Sequence, residues 1–144
     1  MKKSPYDRER FFEKYSQMDR SRLGLAGAGE WESLEPLLPD FAGKRVLDLG
    51  CGSGILSIAA LVLGAERASA VDIDPKAVDV AYENAALNGI GKDRYTVRAG
   101  DVLTDRALAA ELAQARYQLV LANIVADVII PLSAQVPGLL AEDG

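Results

Sequence analysis

The stretch Val46-Leu47-Asp48-Leu49-Gly50-Cys51-Gly52-Ser53-Gly54 decides the fold, because it predicts a strand that passes directly into a glycine-rich loop. The apolar residues that follow, 55–63, have the pattern of a helix that Gly64 ends. Strand, loop and helix in this order form the first half of a βαβ unit. Such a loop places backbone N–H groups at the carboxyl end of a parallel sheet, where open α/β folds bind ligands. The stretch therefore predicts both the fold class and the place of the functional site.

The rest of the chain after Lys44 repeats this alternation of strand and helix. Further strands are predicted at 68–73, 95–99 and 118–122. Helices are predicted from Pro75, capped by Asp74, to the stop at Asn88-Gly89, then at 105–113 and at 125–140, where Pro131 is expected to kink the helix. The pattern indicates an α/β fold with a parallel sheet between two layers of helices.

Residues 1–41 lack this alternation of strands and helices and are predicted to form a helical appendage to a sheet domain at 42–144. Ser4 and Pro5 begin one helix, and a second one from Trp31 is stopped by Pro39. The first helix carries an aromatic and apolar stripe at helical spacing, formed by Phe11, Phe12, Tyr15 and Met18. Core packing is one interpretation of this stripe, and a lid over a ligand is the other.

Composition excludes several classes of function. The chain has 16 basic and 21 acidic residues and a net charge of −5, which argues against nucleic acid or an anionic membrane as the partner. It has no histidine, which removes the commonest general base and most metal sites, so no metal is expected. Cys51 is the only cysteine, so no internal disulfide can form, and a soluble, cytoplasmic protein is expected.

The spacing of the glycines favours one nucleoside cofactor over another. Dinucleotide enzymes need glycines in the order G-x-G-x-x-G, and the third of these positions, counted from Gly50, is Ile55. Here the third glycine comes one residue earlier, at Gly54, which favours S-adenosylmethionine. Asp72 follows Gly52 by 20 residues, where a carboxylate can accept both ribose hydroxyls. Asp74 is better interpreted as a helix cap than as a ligand.

Two later strand ends supply further candidates. Asp101, after the third strand, is placed to reach the exocyclic amine of an adenine, with an ordinary Gly-Asp turn as the alternative. Asn123, after the fourth, is the candidate catalytic residue, because its carbonyl can hold an acceptor amine in line with the methyl group; capping the next helix is the rival interpretation. The full set expected at the cofactor is Asp48, Gly50, Cys51, Gly52, Gly54, Asp72, Ile73, Asp101, Val102, Asn123, Tyr15 and Met18.

Residues from about Val46 to Gly144 resemble the catalytic domain of the ribosomal protein L11 methyltransferases, the PrmA family. The resemblance lies in the glycine-loop stretch, in Val71-Asp72-Ile73-Asp74-Pro75, in Glu83-Asn84-Ala85 with Leu87-Asn88-Gly89, and in Leu121-Ala122-Asn123-Ile124-Val125-Ala126-Asp127. It implies a Rossmann-like class I methyltransferase that methylates protein amino groups and releases S-adenosylhomocysteine. It also implies that Gly50, Gly52 and Asp72 hold the cofactor and that Asn123 lies near the acceptor nitrogen.

The first ~50 residues are instead similar to the leader of small-molecule class I methyltransferases, in the stretches 11–18 and 27–31. That resemblance implies that Tyr15 and Met18 lie against the cofactor, and the two resemblances together predict a recombined or designed chain. A complete class I fold has seven strands, so the sheet is expected to be truncated after the fourth strand and its helix. The apolar edge at Leu119, Val120 and Leu121 then predicts a homo-oligomer.

The leading hypothesis is therefore a methyltransferase that binds S-adenosylmethionine and acts on protein amino groups. A methyltransferase of small amines is an alternative acceptor class. A second alternative is a minimal or engineered domain that binds the cofactor without turnover. A third is a nicotinamide oxidoreductase, which Ile55 disfavours because it stands where the dinucleotide fingerprint needs a glycine.

Overall fold

A computed structural model of the chain describes residues 29–144. The predicted helix with the aromatic stripe, and with it Tyr15 and Met18, lies outside the described residues. The chain divides between Asp40 and Phe41 into two units, which are described separately.

The described part of the first unit is one short helical segment. Helix α1 (Trp31–Leu34) is followed by a 3-10 turn (Glu35–Leu37), and the chain is extended at Leu38. The helix predicted to run to Pro39 is therefore shorter than expected. Pro36 is the reason, because proline has no N–H for the helical hydrogen bond and its ring clashes with the carbonyl one turn earlier.

Four parallel strands form the sheet of the second unit. They are β1 (Arg45–Leu49), β2 (Arg67–Asp72), β3 (Tyr95–Ala99) and β4 (Leu119–Ala122). The spatial order is β3-β2-β1-β4, so the chain turns back past β1 after β3. A reversal of this kind opens a crevice at the carboxyl ends of the two strands on either side of it. The predicted parallel α/β sheet is confirmed, and its crevice lies beside the glycine loop.

Helices cover both faces of this sheet. Helices α2 (Ile55–Val62) and α3 (Pro75–Leu87) contact β1, β2 and β3. Side chains alternate along a strand, so Leu47 and Leu49 point to the face of the sheet opposite Asp48 and α2. The apolar core on that face is called the second core. That core contains Leu108 and Leu112 of helix α4 (Arg106–Ala115), and the whole cluster is Leu47, Leu49, Val71, Val102, Leu108, Leu112, Tyr117, Leu132 and Leu139.

The helix predicted at 125–140 is wrong in two respects. It is two helices, α5 (Ala126–Ser133) and α6 (Val136–Leu139), and the break follows Ser133 rather than falling at Pro131, which lies inside α5. Pro137 explains the break, because a continuous helix would need its missing N–H and would clash with the Ser133 carbonyl. Leu140 is extended and forms a parallel bridge with Tyr117, beside the start of β4. The free edge expected along β4 is thus occupied at that end.

Within residues 29–144, no helix has both the length and the apolar character needed to cross a membrane.

Gly54 ends the loop in a conformation that only glycine adopts easily, and an added Cβ would lie 2.7 Å from the Tyr95 hydroxyl. We expect Gly54→Ala to lower the free energy of unfolding by about 2–4 kcal/mol, from left-handed strain and overpacking together. Gly89 is the matched control, because its φ is +70° but no atom lies within 4 Å of its added Cβ. Gly89→Ala should cost about 1 kcal/mol, the strain alone. Urea unfolding of both variants measures this, and equal losses would contradict the packing argument.

Candidate functional site

A cavity of about 430 Å³ opens at the carboxyl ends of the strands. Its walls come from the ends of all four strands and from α5. The lining residues are Leu49, Gly50, Val71, Asp72, Ile73, Gly100, Asp101, Val102, Leu103, Asn123, Ile124, Val125, Val128 and Leu132. The cavity thus unites six of the predicted site residues, namely Gly50, Asp72, Ile73, Asp101, Val102 and Asn123.

Four backbone amides of the glycine loop are bonded inside the protein. Gly50 N and Cys51 N both donate to the Val71 carbonyl, at 2.8 and 3.1 Å. Gly52 N donates to Asp72 Oδ2 at 2.8 Å, and Gly54 N donates to the Cys51 carbonyl at 2.8 Å. The loop lies at the carboxyl end of the sheet, as the sequence predicted. These four amides hold the loop in place, which leaves them little capacity to bind a phosphate group.

Gly50 allows the chain after β4 to lie against the loop. Its φ is +68°, and a Cβ at this position would overlap the side chain of Ile124. A larger residue would therefore have to displace Ile124, which lines the cavity. The glycine serves close packing of the wall as well as backbone conformation.

Asp72 is held rigidly at the end of β2. Its Oδ2 accepts the Gly52 amide and its Oδ1 accepts the Asp74 amide at 2.9 Å. A carboxylate has about four lone-pair positions, so two such bonds leave each oxygen capacity for a ligand donor. Asp74 itself caps α3 by accepting Lys76 N at 2.9 Å, which confirms the cap interpretation.

Asp101 takes part in a turn and in the cavity wall at once. Its Oδ1 accepts Leu103 N at 2.9 Å, and its carbonyl accepts Asp105 N at 2.8 Å. The preceding Gly100 is packed so tightly that an added Cβ would lie 2.6 Å from Leu108 Cδ2. The two interpretations of Asp101, turn and site, are therefore compatible.

Asn123 is exposed and lines the cavity. The rival interpretation, that it caps the next helix, is wrong, because the N-cap of α5 is Val125 and no side chain caps that helix. Asn123 therefore makes no capping bond at α5 and forms part of the cavity wall.

Asp48 lies beneath the loop instead of on the cavity wall. It is 1% exposed, and its Oδ2 accepts the Ser57 amide at 3.2 Å and the Ser57 hydroxyl at 2.8 Å. Burial raises the pKa of Asp48, while the hydrogen bonds from Ser57 act in the opposite direction. A direct contact of Asp48 with a ligand was expected, but in the structure its carboxylate accepts hydrogen bonds from Ser57 in the first turn of α2.

Three other predicted residues of the loop, Cys51, Gly52 and Gly54, are also absent from the cavity wall. Cys51 is 6% exposed, and burial raises the pKa of its thiol to about 12. The thiol is therefore protonated near neutral pH and is a poor nucleophile. Gly52 acts on the site indirectly, through its bond to Asp72.

The apolar wall of the cavity was not predicted from the sequence. Ile124, Val125, Val128 and Leu132 come from the segment after β4, and Leu103 comes from the turn after Asp101. The apolar positions at 124, 125, 128 and 132 were visible as a helical stripe, but that pattern is also typical of ordinary core packing.

The charge of the cavity is entirely acidic. Asp72 and Asp101 are the charged side chains among the lining residues, and no lysine or arginine is among them. No cluster of three potential metal-ligating side chains occurs in the part of the chain that the structure describes. The wall therefore suits a ligand that carries positive charge and hydrogen-bond donors, and opposes an anionic one.

Comparison with known proteins identifies relatives of this site. The model of the ribosomal protein L11 methyltransferase (PrmA) family matches residues 32–144, so the match begins earlier than the expected Val46. The ribosomal protein L11 methyltransferase of Pseudomonas aeruginosa is 45% identical over 105 residues, which are 73% of this chain and 33% of that protein. The chain thus spans about a third of the length of the curated relatives it matches.

Solved structures agree with this match. A ribosomal protein L11 methylase from Lactobacillus delbrueckii subsp. bulgaricus is 32% identical with a TM-score of 0.60, over 91% of this chain and 57% of that chain. An S-adenosylmethionine dependent methyltransferase from Mesorhizobium loti is 27% identical with a TM-score of 0.57, over 82% of this chain and 51% of that chain. The Rossmann-like class I methyltransferase fold is thereby shown.

Asp48→Asn tests the charge beneath the loop. The pKa of Asp48 is raised in the folded protein, so the protonated carboxyl group stabilises the fold. This stabilisation is fully present when the pH is below 3.8, the ordinary pKa of aspartate, and it is lost as the pH rises through the raised pKa. We therefore expect the stability of the wild type relative to Asp48→Asn to fall as the pH rises through that window. Thermal midpoints between about pH 4 and about pH 7 measure this.

The exposed Asp79 on α3 offers a control, because Asp79→Asn makes the same change at the surface and leaves the bonds of Asp48 to Ser57 in place. A wild type that gains stability over Asp48→Asn as the pH rises would contradict the assignment.

Proposed function

This chain belongs to the ribosomal protein L11 methyltransferase family, and from that premise we propose that it binds S-adenosylmethionine in the cavity and supports methyl transfer to protein amino groups. The observation that carries the proposal is the charge of the cavity wall, which comes from Asp72 and Asp101 alone, beside a loop in which four amides are already bonded. This wall fits a cofactor with hydroxyls, amines and a sulfonium cation, and it opposes a pyrophosphate.

Asp72 is the proposed ribose ligand. Its carboxylate is fixed by two backbone amides and keeps lone pairs for both ribose hydroxyls. Ile73, directly after it, is 75% exposed and offers an apolar surface to the nucleoside. Gly50 brings the main chain of the loop to the wall, where its carbonyl can accept a hydrogen bond from the cofactor's amino group.

Asp101 and Val102 are the proposed adenine contacts. One oxygen of Asp101 accepts the Leu103 amide, which fixes the carboxylate while its other oxygen can accept the exocyclic amine of adenine. Val102 is 7% exposed and lines the cavity beside it, so it can pack against the ring. Polar recognition at one edge and apolar contact on the face are the usual combination in a nucleoside site.

Asn123 is the proposed contact of the methyl acceptor. The cofactor supplies an electrophilic methyl group, and the task of the protein is to hold the acceptor nitrogen in line with it at about 3 Å. The side-chain carbonyl of Asn123 can accept a hydrogen bond from an acceptor amine, and its exposure leaves it accessible to an incoming protein segment. Positioning of this kind needs no histidine and no thiolate, which agrees with the composition and with the protonated Cys51.

Cofactor binding without turnover is the second candidate, because backbone amides fix the proposed cofactor ligands Asp72 and Asp101, whereas the proposed acceptor contact Asn123 is an exposed side chain. A small amine is the alternative acceptor. Transfer of a labelled methyl group to ribosomal protein L11 or to small amines would separate these outcomes.

The association and location of the chain are further parts of the proposal. The edge of β4 is open along Leu119–Ala122 in the described structure, beyond the bridge at Tyr117, so a second copy can pair there. A cytoplasmic location follows from the single buried cysteine. A recombined origin with a junction near the glycine loop remains a prediction from the sequence, and the family match begins before that point, at residue 32.

Calorimetry with S-adenosylmethionine and S-adenosylhomocysteine tests cofactor binding directly. We expect both to bind, and Asp72→Asn to weaken binding about tenfold or more, because a charged acceptor of two hydroxyls is lost. Asp74→Asn is the matched control, since asparagine caps helices as well as aspartate does and Asp74 lies outside the cavity wall.

Binding of a reduced nicotinamide cofactor, or the absence of heat with millimolar S-adenosylmethionine, would overturn the proposal. Equal loss of affinity in the two variants would contradict the role given to Asp72.

Light scattering over a range of concentrations tests the β4 edge. We expect a dimer or larger assembly that dissociates when Leu121→Lys places a charge on this strand, on the face opposite Val120, which packs against the second core. A wild type that stays monomeric at high concentration would rule the interface out.

A further inference from the structure

Tyr95 is a buried tyrosine that the proposed cofactor contacts do not use. It lies at the start of β3 and is 0% exposed. Its hydroxyl is 2.8 Å from Ser57 Oγ, on the opposite side of the sheet from the second apolar core. A buried hydroxyl with one protein partner at the base of the glycine loop calls for a physical explanation.

The direction of this hydrogen bond follows from counting protons. Ser57 has one hydroxyl proton, and its Oγ lies 2.8 Å from Asp48 Oδ2 and 3.1 Å from the Gly54 carbonyl. The carboxylate is the stronger acceptor and the closer one, so the proton of Ser57 goes to Asp48. Tyr95 therefore donates to Ser57, and the three side chains form one chain of hydrogen bonds that ends on the carboxylate.

The same hydroxyl also limits the space beneath the end of the loop. A Cβ placed on Gly54 would lie 2.7 Å from the Tyr95 oxygen, so the hydroxyl occupies the space next to that glycine. Gly54 is also the N-cap of α2, and it has no side chain with which to cap the helix. Tyr95 thus contacts the loop end by packing and acts on the helix start through Ser57.

We propose that Tyr95 is a positioning residue for cofactor binding, which acts through Ser57 and Asp48 to hold the glycine loop in its binding conformation. The inference rests on the proposed function, since it assigns to that cofactor site a residue that does not touch it. Asp48 is followed directly by Leu49 and Gly50, which line the cavity, so movement of the carboxylate is transmitted to the wall.

The loss of the Tyr95 hydroxyl should therefore affect the loop more than the fold as a whole. The amides at 50, 51 and 52 remain bonded to Val71 and Asp72, so one end of the loop stays fixed. The other end loses the donor to Ser57 and the atom that fills the space beside Gly54. Binding must then order that end again, which lowers affinity.

Tyr82 on α3 is a closely matched control. Its ring meets that of Tyr95 edge to face, with centroids 6.1 Å apart, so the two tyrosines share one neighbourhood. Its hydroxyl accepts Val97 N at 2.9 Å and donates to the Val97 carbonyl at 3.4 Å. Both hydroxyls are hydrogen-bonded inside the fold, but the bonds of Tyr82 go to the backbone of β3, whereas the bond of Tyr95 goes to Ser57 in the first turn of α2.

The experiment compares Tyr95→Phe with Tyr82→Phe by calorimetry and thermal unfolding. We expect both variants to lower the thermal midpoint, and Tyr95→Phe alone to weaken S-adenosylmethionine binding, by about 3- to 10-fold. In a Ser57→Ala background, Tyr95→Phe should weaken affinity less than it does in the wild type, because only the contact with Gly54 is then left to lose. Affinity unchanged within about twofold in Tyr95→Phe, or an equal loss in both variants, would overturn the proposal.

Hydrogen exchange of the loop amides separates this inference from the proposed function. We expect Tyr95→Phe to speed exchange at Gly54 and at the first turn of α2, and Tyr82→Phe to leave these amides at the wild-type rate. Faster exchange without any cofactor binding in the wild type would overturn the proposed function only. Unchanged exchange together with unchanged affinity would overturn the role of Tyr95 only.

Discussion

The buried carboxylate of Asp48 is the constraint on which the site depends. It connects β1 to α2 across the glycine loop, because it accepts the amide and the hydroxyl of Ser57 in the first turn of that helix. Burying a charge is costly, and the raised pKa of Asp48 reflects that cost. The positive end of the helix and the hydroxyl chain from Tyr95 compensate for it. The loop residues can all be glycine or small because a strand residue, and not the N-cap Gly54, satisfies the helix start.

This arrangement also determines which ligands the loop can serve. A helix start that is already capped, with Gly50 and Cys51 bonded to Val71, has little left to offer an anion. The surfaces left to a ligand are carbonyl groups, Cα atoms and the carboxylates of Asp72 and Asp101. Acceptors of this kind select donors and cations. The preference for S-adenosylmethionine that was predicted from the spacing of one glycine thus receives an independent electrostatic reason.

Much of the fold could be predicted because local signals and tertiary packing agree there. The strand–loop–helix stretch, the parallel sheet and the Asp74 cap were all readable from spacing and capping residues. The division of 125–140 into two helices was not predicted, because Pro131 was the more obvious breaker while Pro137 sets the break. The position of Asp48 was missed because sequence places it next to the loop but does not tell which face of β1 it occupies relative to the ligand. The apolar wall was missed because its pattern is the same as that of a core.

Cofactor binding and methyl transfer make different demands on this chain. Every described residue proposed for the cofactor lies at or directly after the end of β1, β2 or β3, and backbone amides fix the carboxylates of Asp72 and Asp101 there. The acceptor contact depends on Asn123, an exposed side chain after the edge strand β4. The cofactor site can therefore stay rigid while the position of the methyl acceptor relative to the cofactor varies. Because in-line transfer needs the acceptor nitrogen placed to within a fraction of an ångström, the part of the structure that decides turnover is the surface around Asn123, and affinity for the cofactor alone is no measure of it.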